Sequence, residues 1–500
     1  MVLQQRKSDY GRERYEPIVE NPFRSPAETQ YAKSTFSIDV DTASYANVRR
    51  FLNQGTLPPP GAVRIEEMIN YFDYDYPQPE GDKPFSVSME VAECPWQPGH
   101  QLVRIGLKGK EIDSKERRPC NLVFLLDVSG SMSNQDKLPL LKRGLQMMLG
   151  QLTEADRVTI VTYAGDAGVK LEATSGDQTK KIAAAIESLQ AGGSTNGSAG
   201  IQMAYKHAQQ QFIKDGNNRV ILATDGDLNV GVTDDNELVE LIRKKAANGV
   251  FLTVLGFGTG NLQDAKLEKL ADNGNGMYAY IDNLREARKV LVEQAMGTLV
   301  TIAKDVKIQV EFNPVEVASY RLIGYENRAL ANQDFNNDKR DAGDIGAGHT
   351  VTALYEIVPT KQADQPLANA DEPLKYQRSK KQQVVRASFT EAAGSGELLT
   401  VWVRYKEPDG HESKKLEFVV KVSETKFNRS SKDLQFAASV AAFGMLLRNS
   451  EHCGNMTFAA IEEAAAGALG SDPKGHRTAL LDLVRRASSL RPESGSIDQR

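Results

Sequence analysis

Hydrophobic positions in the middle of the chain follow two alternating rhythms. Residues 122–126, 158–163, 220–223, 250–256 and 277–281 are short, nearly unbroken apolar runs, as expected of strands buried on both faces. Residues 138–152, 179–189, 198–212, 235–247, 265–271 and 284–296 place apolar side chains at helical spacing. Strand and helix alternating from 118 to 300 predict an α/β layer, with a mostly parallel sheet covered by helices on both faces.

The flanks read differently. Upstream, residues 35–41 alternate as a short strand, and Asp41 or Thr42 caps a helix that runs to Phe51. A second short helix is expected over 64–72, after the break at Pro58-Pro59-Pro60, and strands over 85–91 and 102–108. Downstream, residues 306–312, 318–323, 350–357, 383–389, 398–405 and 415–422 alternate with period two and predict a β-sandwich, with a loop over 360–374. Residues 432–447, 458–469 and 477–490 return to helical spacing. The domain order is then a flexible tether (1–30), an N-terminal segment (31–117), the α/β domain (118–300), a β-rich domain (301–425) and a helical region (426–500). The N-terminal segment has too few strands to close a core. Its strands and the later ones are therefore expected to form one sandwich, with the α/β domain inserted.

Candidate chemistry gathers at the carboxyl ends of the buried strands. The run Leu122-Val-Phe-Leu-Leu126 leads into Asp127-Val-Ser129-Gly-Ser131, a carboxylate and two hydroxyls at alternate positions. Hard oxygen donors with few carboxylates suit Mg²⁺. Gly192-Gly-Ser-Thr195-Asn-Gly197 offers a hydroxyl on a glycine-rich loop, and Val220-Ile-Leu-Ala-Thr224-Asp225-Gly226 ends another buried strand in a carboxylate. Ligands of open α/β sheets collect outside the carboxyl ends of strands. Taken singly, these residues would read as helix caps or Asx turns.

The order of the three motifs resembles the von Willebrand factor type A domain and its metal-ion-dependent adhesion site. The resemblance implies a doubly wound, Rossmann-like sheet. It implies Mg²⁺ (or Mn²⁺) held by Asp127, Ser129, Ser131, Thr195 and Asp225, some through water. It implies a coordination position open to an Asp or Glu of a protein partner, and a C-terminal helix, 284–296, that shifts on binding. Outside that domain, Thr35-Phe-Ser-Ile-Asp-Val-Asp-Thr-Ala-Ser-Tyr45, Arg64-Ile-Glu-Glu-Met-Ile-Asn-Tyr-Phe72 and Arg321-Leu-Ile-Gly-Tyr-Glu-Asn-Arg-Ala-Leu330 resemble the bacterial YfbK-type proteins. Members of that group are often exported and lipid-anchored. The expected location is therefore the cell envelope, with an anchor on an upstream leader, and the cytoplasm as alternative. The polar start, residues 1–26, does not itself read as a signal peptide.

Bulk properties narrow the partners. Lys and Arg number 61 against 66 Asp and Glu, a formal net charge of -5, which gives a nucleic-acid partner no electrostatic support. No apolar stretch reaches the length of a membrane span. Cys94, Cys120 and Cys453 form no C-x-x-C pair, so zinc is not expected; a Cys94–Cys120 disulfide is left open.

Competing signals are weaker. Asp39-Val-Asp41-Thr42 reads as a helix cap rather than a phosphatase nucleophile loop. Asp334-Phe-Asn-Asn-Asp338 lacks the Gly and Glu an EF-hand loop needs, having Lys339 and Ile345 there. Gly256-Phe-Gly258-Thr-Gly260 reads as a loop at the metal edge, and Asp227 as a neighbour of the metal loop or a turn residue. No Ser-His-Asp arrangement is visible. The sequence thus reads as a non-enzymatic, metal-dependent protein-binding module. A metal-dependent hydrolase and an envelope protein with a purely structural metal are the alternatives.

Overall fold

The computed structural model describes residues 13–112, 117–194, 197–226, 235–294, 300–338, 342–362, 389–408, 410 and 412–491. The chain begins with β1 (Lys33–Ser37), α1 (Ala43–Asn53), α2 (Ile65–Asn70), β2 (Phe85–Glu93) and β3 (Gln101–Gly109). Then come β4 (Cys120–Asp127), α3 (Leu138–Met148), β5 (Arg157–Tyr163), β6 (Ala167–Ser175), α4 (Thr179–Glu187), α5 (Gly197–Gln210) and β7 (Asn217–Thr224). They are followed by α6 (Asp235–Ala247), β8 (Val250–Phe257), α7 (Asp264–Asn273), β9 (Tyr278–Ile281) and α8 (Leu284–Arg288). The remainder holds β10 (Thr301–Phe312), β11 (Val317–Ile323), β12 (Ala329–Leu330), β13 (Ile345–Gly346), β14 (Thr350–Pro359), β15 (Glu397–Lys406) and β16 (Ser413–Lys421). It ends in α9 (Lys432–Arg448), α10 (Phe458–Gly467) and α11 (His476–Leu490). Two compact units result. One takes Asp41–Phe51 and Glu111–Thr301 with the N-terminal segment up to Pro17; the other takes Ile18–Val40, Leu52–Lys110 and the chain from Ile302 onward.

The first unit is the α/β domain. Its sheet runs β6-β5-β4-β7-β8-β9, parallel throughout except for the β5–β6 edge. Alternate residues of β4 enter different cores. Leu122, Phe124 and Leu126 pack with α3, α4 and α8, while Val123 and Leu125 pack with α5, α6 and α7. Side chains that alternate across a strand explain why β4 reads as unbroken apolar. Strand β6 escapes the hydrophobic pattern because it is a half-exposed edge, where Lys170 and Glu172 face solvent. Helix α1 contributes Ala43 and Ala46 to the second of these cores. Arg49, on the same helix, forms ion pairs with Asp282 and Glu286. The expected helix over 284–296 is shorter. It ends at Arg288 and continues as a π-helix, Lys289–Gln294; residues 295–299 lie outside those described.

The second unit is built on two antiparallel sheets. One runs β12-β1-β10-β15-β16, with β13 also on β10, and the other runs β11-β14-β3-β2. Strands from before residue 110 and after residue 302 share both sheets. Phe36 stands opposite Ile308 and Ile105 opposite Ala353. The part of the expected tether that belongs to this unit is anchored: Arg24 exchanges backbone hydrogen bonds with Tyr320, and the Asn21 amide donates to the Leu322 and Gly324 carbonyls. These are backbone partners, which a hydropathy pattern does not register. Helix α9 is buried nearly all round, the mark of a central helix. The expected strand over 383–389 falls almost wholly outside the described residues. The three cysteines are free thiols, so the Cys94–Cys120 disulfide does not form.

Two buried carboxylates of this unit behave oppositely. Glu356 on β14 is a hub that accepts from Trp96 Nε1 (3.1 Å), Arg321 (2.7 Å) and His100 Nδ1 (2.6 Å). Burial alone would raise its pKa, but His100 and Arg321 hold it below the usual glutamate range. Glu66 on α2 lacks such support, and among the described residues its Oε2 accepts no hydrogen bond. Burial, aided by Glu326 and opposed by Arg448, pushes its carboxyl from 4.5 up to about 7. The folded chain therefore holds this proton more tightly than the unfolded one. Stability from this group is full below the ordinary glutamate pKa and is lost as pH rises toward the folded value. Glu66→Gln should raise stability above pH 7 by roughly 3 kcal/mol and leave pH 4 almost unchanged. Urea denaturation at both pH values checks this; an equal effect at both would rule out ionisation as the cause.

Candidate metal centre

Asp127 and Asp225 end or follow adjacent central strands. Leu126 of β4 pairs with Ala223 of β7, so both carboxylates emerge at the same edge of the sheet. Both are fully buried. Asp127 Oδ1 accepts from the Ser129 amide (2.9 Å), and Oδ2 accepts from Tyr163 Oη (3.2 Å) and Thr224 Oγ1 (3.3 Å). Tyr163 stands opposite Asp127 at the end of β5. Three neighbouring strands thus orient one carboxylate.

The hydroxyls are close by. Ser129 Oγ and Ser131 Oγ lie 3.0 Å apart, with Ser129 buried and Ser131 exposed. The glycine-rich loop is tied to this turn. Gly130 N donates to Gly193 O (3.1 Å) and Gly192 N to Val128 O (2.8 Å). Gly193 has φ +81°, a left-handed conformation that suits glycine. Thr195 and Asp227 lie outside the described residues. Of the five expected ligands, Asp127, Ser129, Ser131 and Asp225 are brought to one edge, and the loop leading to Thr195 is docked beside them.

Burial pushes the Asp127 carboxyl up to about 6, against lowering hydrogen bonds from Ser129 and Tyr163, and the neighbouring Asp225 charge adds to the rise. Burial also opposes the charge on Asp225, yet hydrogen bonds from Ser131 and Lys137 hold it below the usual aspartate range. Two desolvated carboxylates and two hydroxyls, all oxygen donors, fit a hard divalent cation such as Mg²⁺ or Mn²⁺.

Lys137 is the residue that sequence reasoning missed. It precedes α3, is buried, and its Nζ lies 2.9 Å from Asp225 Oδ2 and 3.4 Å from Asn261 Oδ1. Its stem crosses Gly258, where a Cβ would sit 2.1 Å from Lys137 Cε. The loop read from Gly256 to Gly260 therefore does lie at this edge, and Gly258 makes room for the lysine. The available signal was a lone lysine six residues beyond Ser131, which resembles any solvent-facing charge ahead of a helix.

Comparison with known proteins gives the architecture its context. Residues 121–294 match the von Willebrand factor type A domain, 9–104 a segment described as von Willebrand factor, and 297–490 the C-terminal domain of uncharacterized protein YfbK. The chain is 43% identical to uncharacterized protein YfbK of Escherichia coli over 96% of its own length and 82% of that protein. This chain belongs to the YfbK family. Its A domain reaches further. Uncharacterized protein sll0103 of Synechocystis is 31% identical over 37% of this chain and 43% of its own length. Human inter-alpha-trypsin inhibitor heavy chain H4 is 32% identical over 31% of this chain and 18% of its own. Among solved structures, a von Willebrand factor type A protein from Catenulispora acidiphila covers 83% of the chain and 90% of itself, at 17% identity and TM-score 0.42. Domains of the von Willebrand A family often mediate protein–protein interaction and commonly bind a divalent metal. No helix among the described residues is long and apolar enough to cross a membrane.

Proposed function

We propose that the A domain of this YfbK-family chain is a metal-dependent protein-binding module that takes an acidic side chain of a partner. The supporting observation is the pairing of buried Asp127 and Asp225 at one strand edge, with the Ser129 and Ser131 hydroxyls 3.0 Å apart beside them. Asp127, Ser129, Ser131 and Asp225 would hold Mg²⁺ or Mn²⁺, with Thr195 as the fifth expected ligand. A bound divalent cation supplies a strong positive centre for a partner's carboxylate. The protein's part is orientation. Tyr163 and Thr224 hold Asp127 Oδ2, the Ser129 amide holds Oδ1, and the glycine-rich loop braces the serine turn. The exposed face of Ser131 leaves the approach open.

Calorimetric titration of Mg²⁺ and Mn²⁺ into chelator-treated protein tests this reading. One-site binding is expected, weakened roughly a hundredfold or more in Asp127→Ala, since even residues behind the ligands cost 10–100-fold. Equal binding by the variant, or none by the wild type even with a carboxylate present, would refute the assignment.

A further inference from the structure

The charge count at this edge differs from that of two aspartates alone. Lys137 is not a roving surface lysine. Its ammonium is buried against Asp225 and Asn261, and its stem occupies space that only a glycine at 258 leaves free. Gly258 has φ +72°, and its carbonyl accepts from Tyr280 Oη (2.8 Å), so the loop beneath the lysine is held. Glu13, which accepts from Gly260 N in the same loop, is matched by Arg50 and does not alter the count. Among the described residues that make up this edge, Asp127 and Asp225 supply two negative charges, and Lys137 returns one positive.

The consequence follows from electrostatics in a buried place, where uncompensated charge is costly. With the lysine present, a divalent cation leaves the edge one charge positive. An anionic group then restores neutrality. Without the lysine, the cation alone would balance the two aspartates and water would suffice in the open position. We propose that Lys137 makes cation and carboxylate binding depend on each other, so that each is weak alone and both are tight together. Because coupling between two ligands is reciprocal, a partner's acidic side chain would strengthen metal binding by the same factor that the metal strengthens the partner. The inference rests on the reading of Asp127 and Asp225 as a cation site.

The test is a Mn²⁺ titration of the full chain by calorimetry, in chloride and in acetate at equal ionic strength. Wild type, Lys137→Met and Lys137→Arg are compared. Acetate should tighten Mn²⁺ binding to wild type by about tenfold, and Lys137→Met should bind Mn²⁺ in chloride about tenfold more tightly than wild type, with little further gain from acetate. Lys137→Arg keeps the charge and should retain the wild-type acetate effect. If Lys137→Met does not fold by circular dichroism, Lys137→Gln carries the same expectation. Mn²⁺ binding that is lost in Asp127→Ala but indifferent to Lys137 in both buffers would overturn this inference alone. Mn²⁺ binding that is absent, or unaffected by Asp127→Ala, would overturn the cation site and the inference with it.

Discussion

Asp225→Ala should destabilise the chelator-treated protein by about 3–5 kcal/mol, and adding Lys137→Met should recover most of the loss. The reason lies in Lys137, a residue only 4% exposed whose ammonium has Asp225 as a charged partner at 2.9 Å. Removing the carboxylate alone leaves a buried cation facing the neutral Asn261 oxygen at 3.4 Å. Breaking one half of a buried ion pair is far more costly than replacing both halves by apolar groups. Guanidinium denaturation of wild type, single and double variants measures it. A single-variant loss under about 1 kcal/mol, in the range of exposed pairs, would mean that the lysine escapes to solvent. The result also bears on the choice of binding control. From sequence, Asp127→Ala and Asp225→Ala look equivalent, each expected to remove binding and spare the fold. The structure separates them, because only Asp225 holds a buried ammonium, so Asp127→Ala is the cleaner probe.

The second large effect concerns the other unit. Glu356→Ala is expected to cost about 3–5 kcal/mol, because it strips Arg321, itself 2% exposed, of its carboxylate. The Trp96 indole loses its acceptor as well, and His100 its hydrogen-bond partner. The pH dependence distinguishes this from a simple cavity. Glu356 has a depressed pKa in the folded chain, so its contribution is present above the ordinary glutamate range and fades as pH falls through the folded value. The gap between wild type and Glu356→Ala should therefore narrow in acid. A gap constant down to pH 3 would assign the loss to packing. Glu66→Gln should also approach wild type in acid, but its effect at high pH has the opposite sign, a gain in stability, since that carboxyl is raised rather than lowered.

Both carboxylates are buried, yet one is well supported by hydrogen bonds and the other is not. Glu356 draws on Trp96 and His100, from the turn between β2 and β3, and on Arg321 of β11. Glu66 sits where Gly324 approaches so closely that a Cβ there would lie 2.6 Å from its Oε2. Nothing in local sequence distinguishes these surroundings, because desolvation and hydrogen bonding depend on the fold around each group.

What the sequence determined by itself was set by periodicity and by short-range chemistry. The parallel sheet from 118 to 300 was legible because strands buried on both faces are apolar without interruption, as 122–126 is. That Asp127, Ser129, Ser131 and Asp225 would gather at one edge of the sheet was legible because the strand ends read directly from hydropathy, and these residues lie at those ends or within four residues of them. The edge strand β6 was not, since Lys170 and Glu172 face water and only Leu171 and Thr174 are buried. The π-helical turn after Arg288 was not, since it keeps the apolar spacing of a helix. Tertiary structure alone decided that Lys137 lies on Asp225, 88 residues away in sequence, and that Gly258 makes room for it. A lysine's side chain is long and flexible, and its charge reads the same in sequence whether it ends in water or in a buried ion pair. Only the folded surroundings determine which, and with that the net charge of the edge proposed to hold the metal.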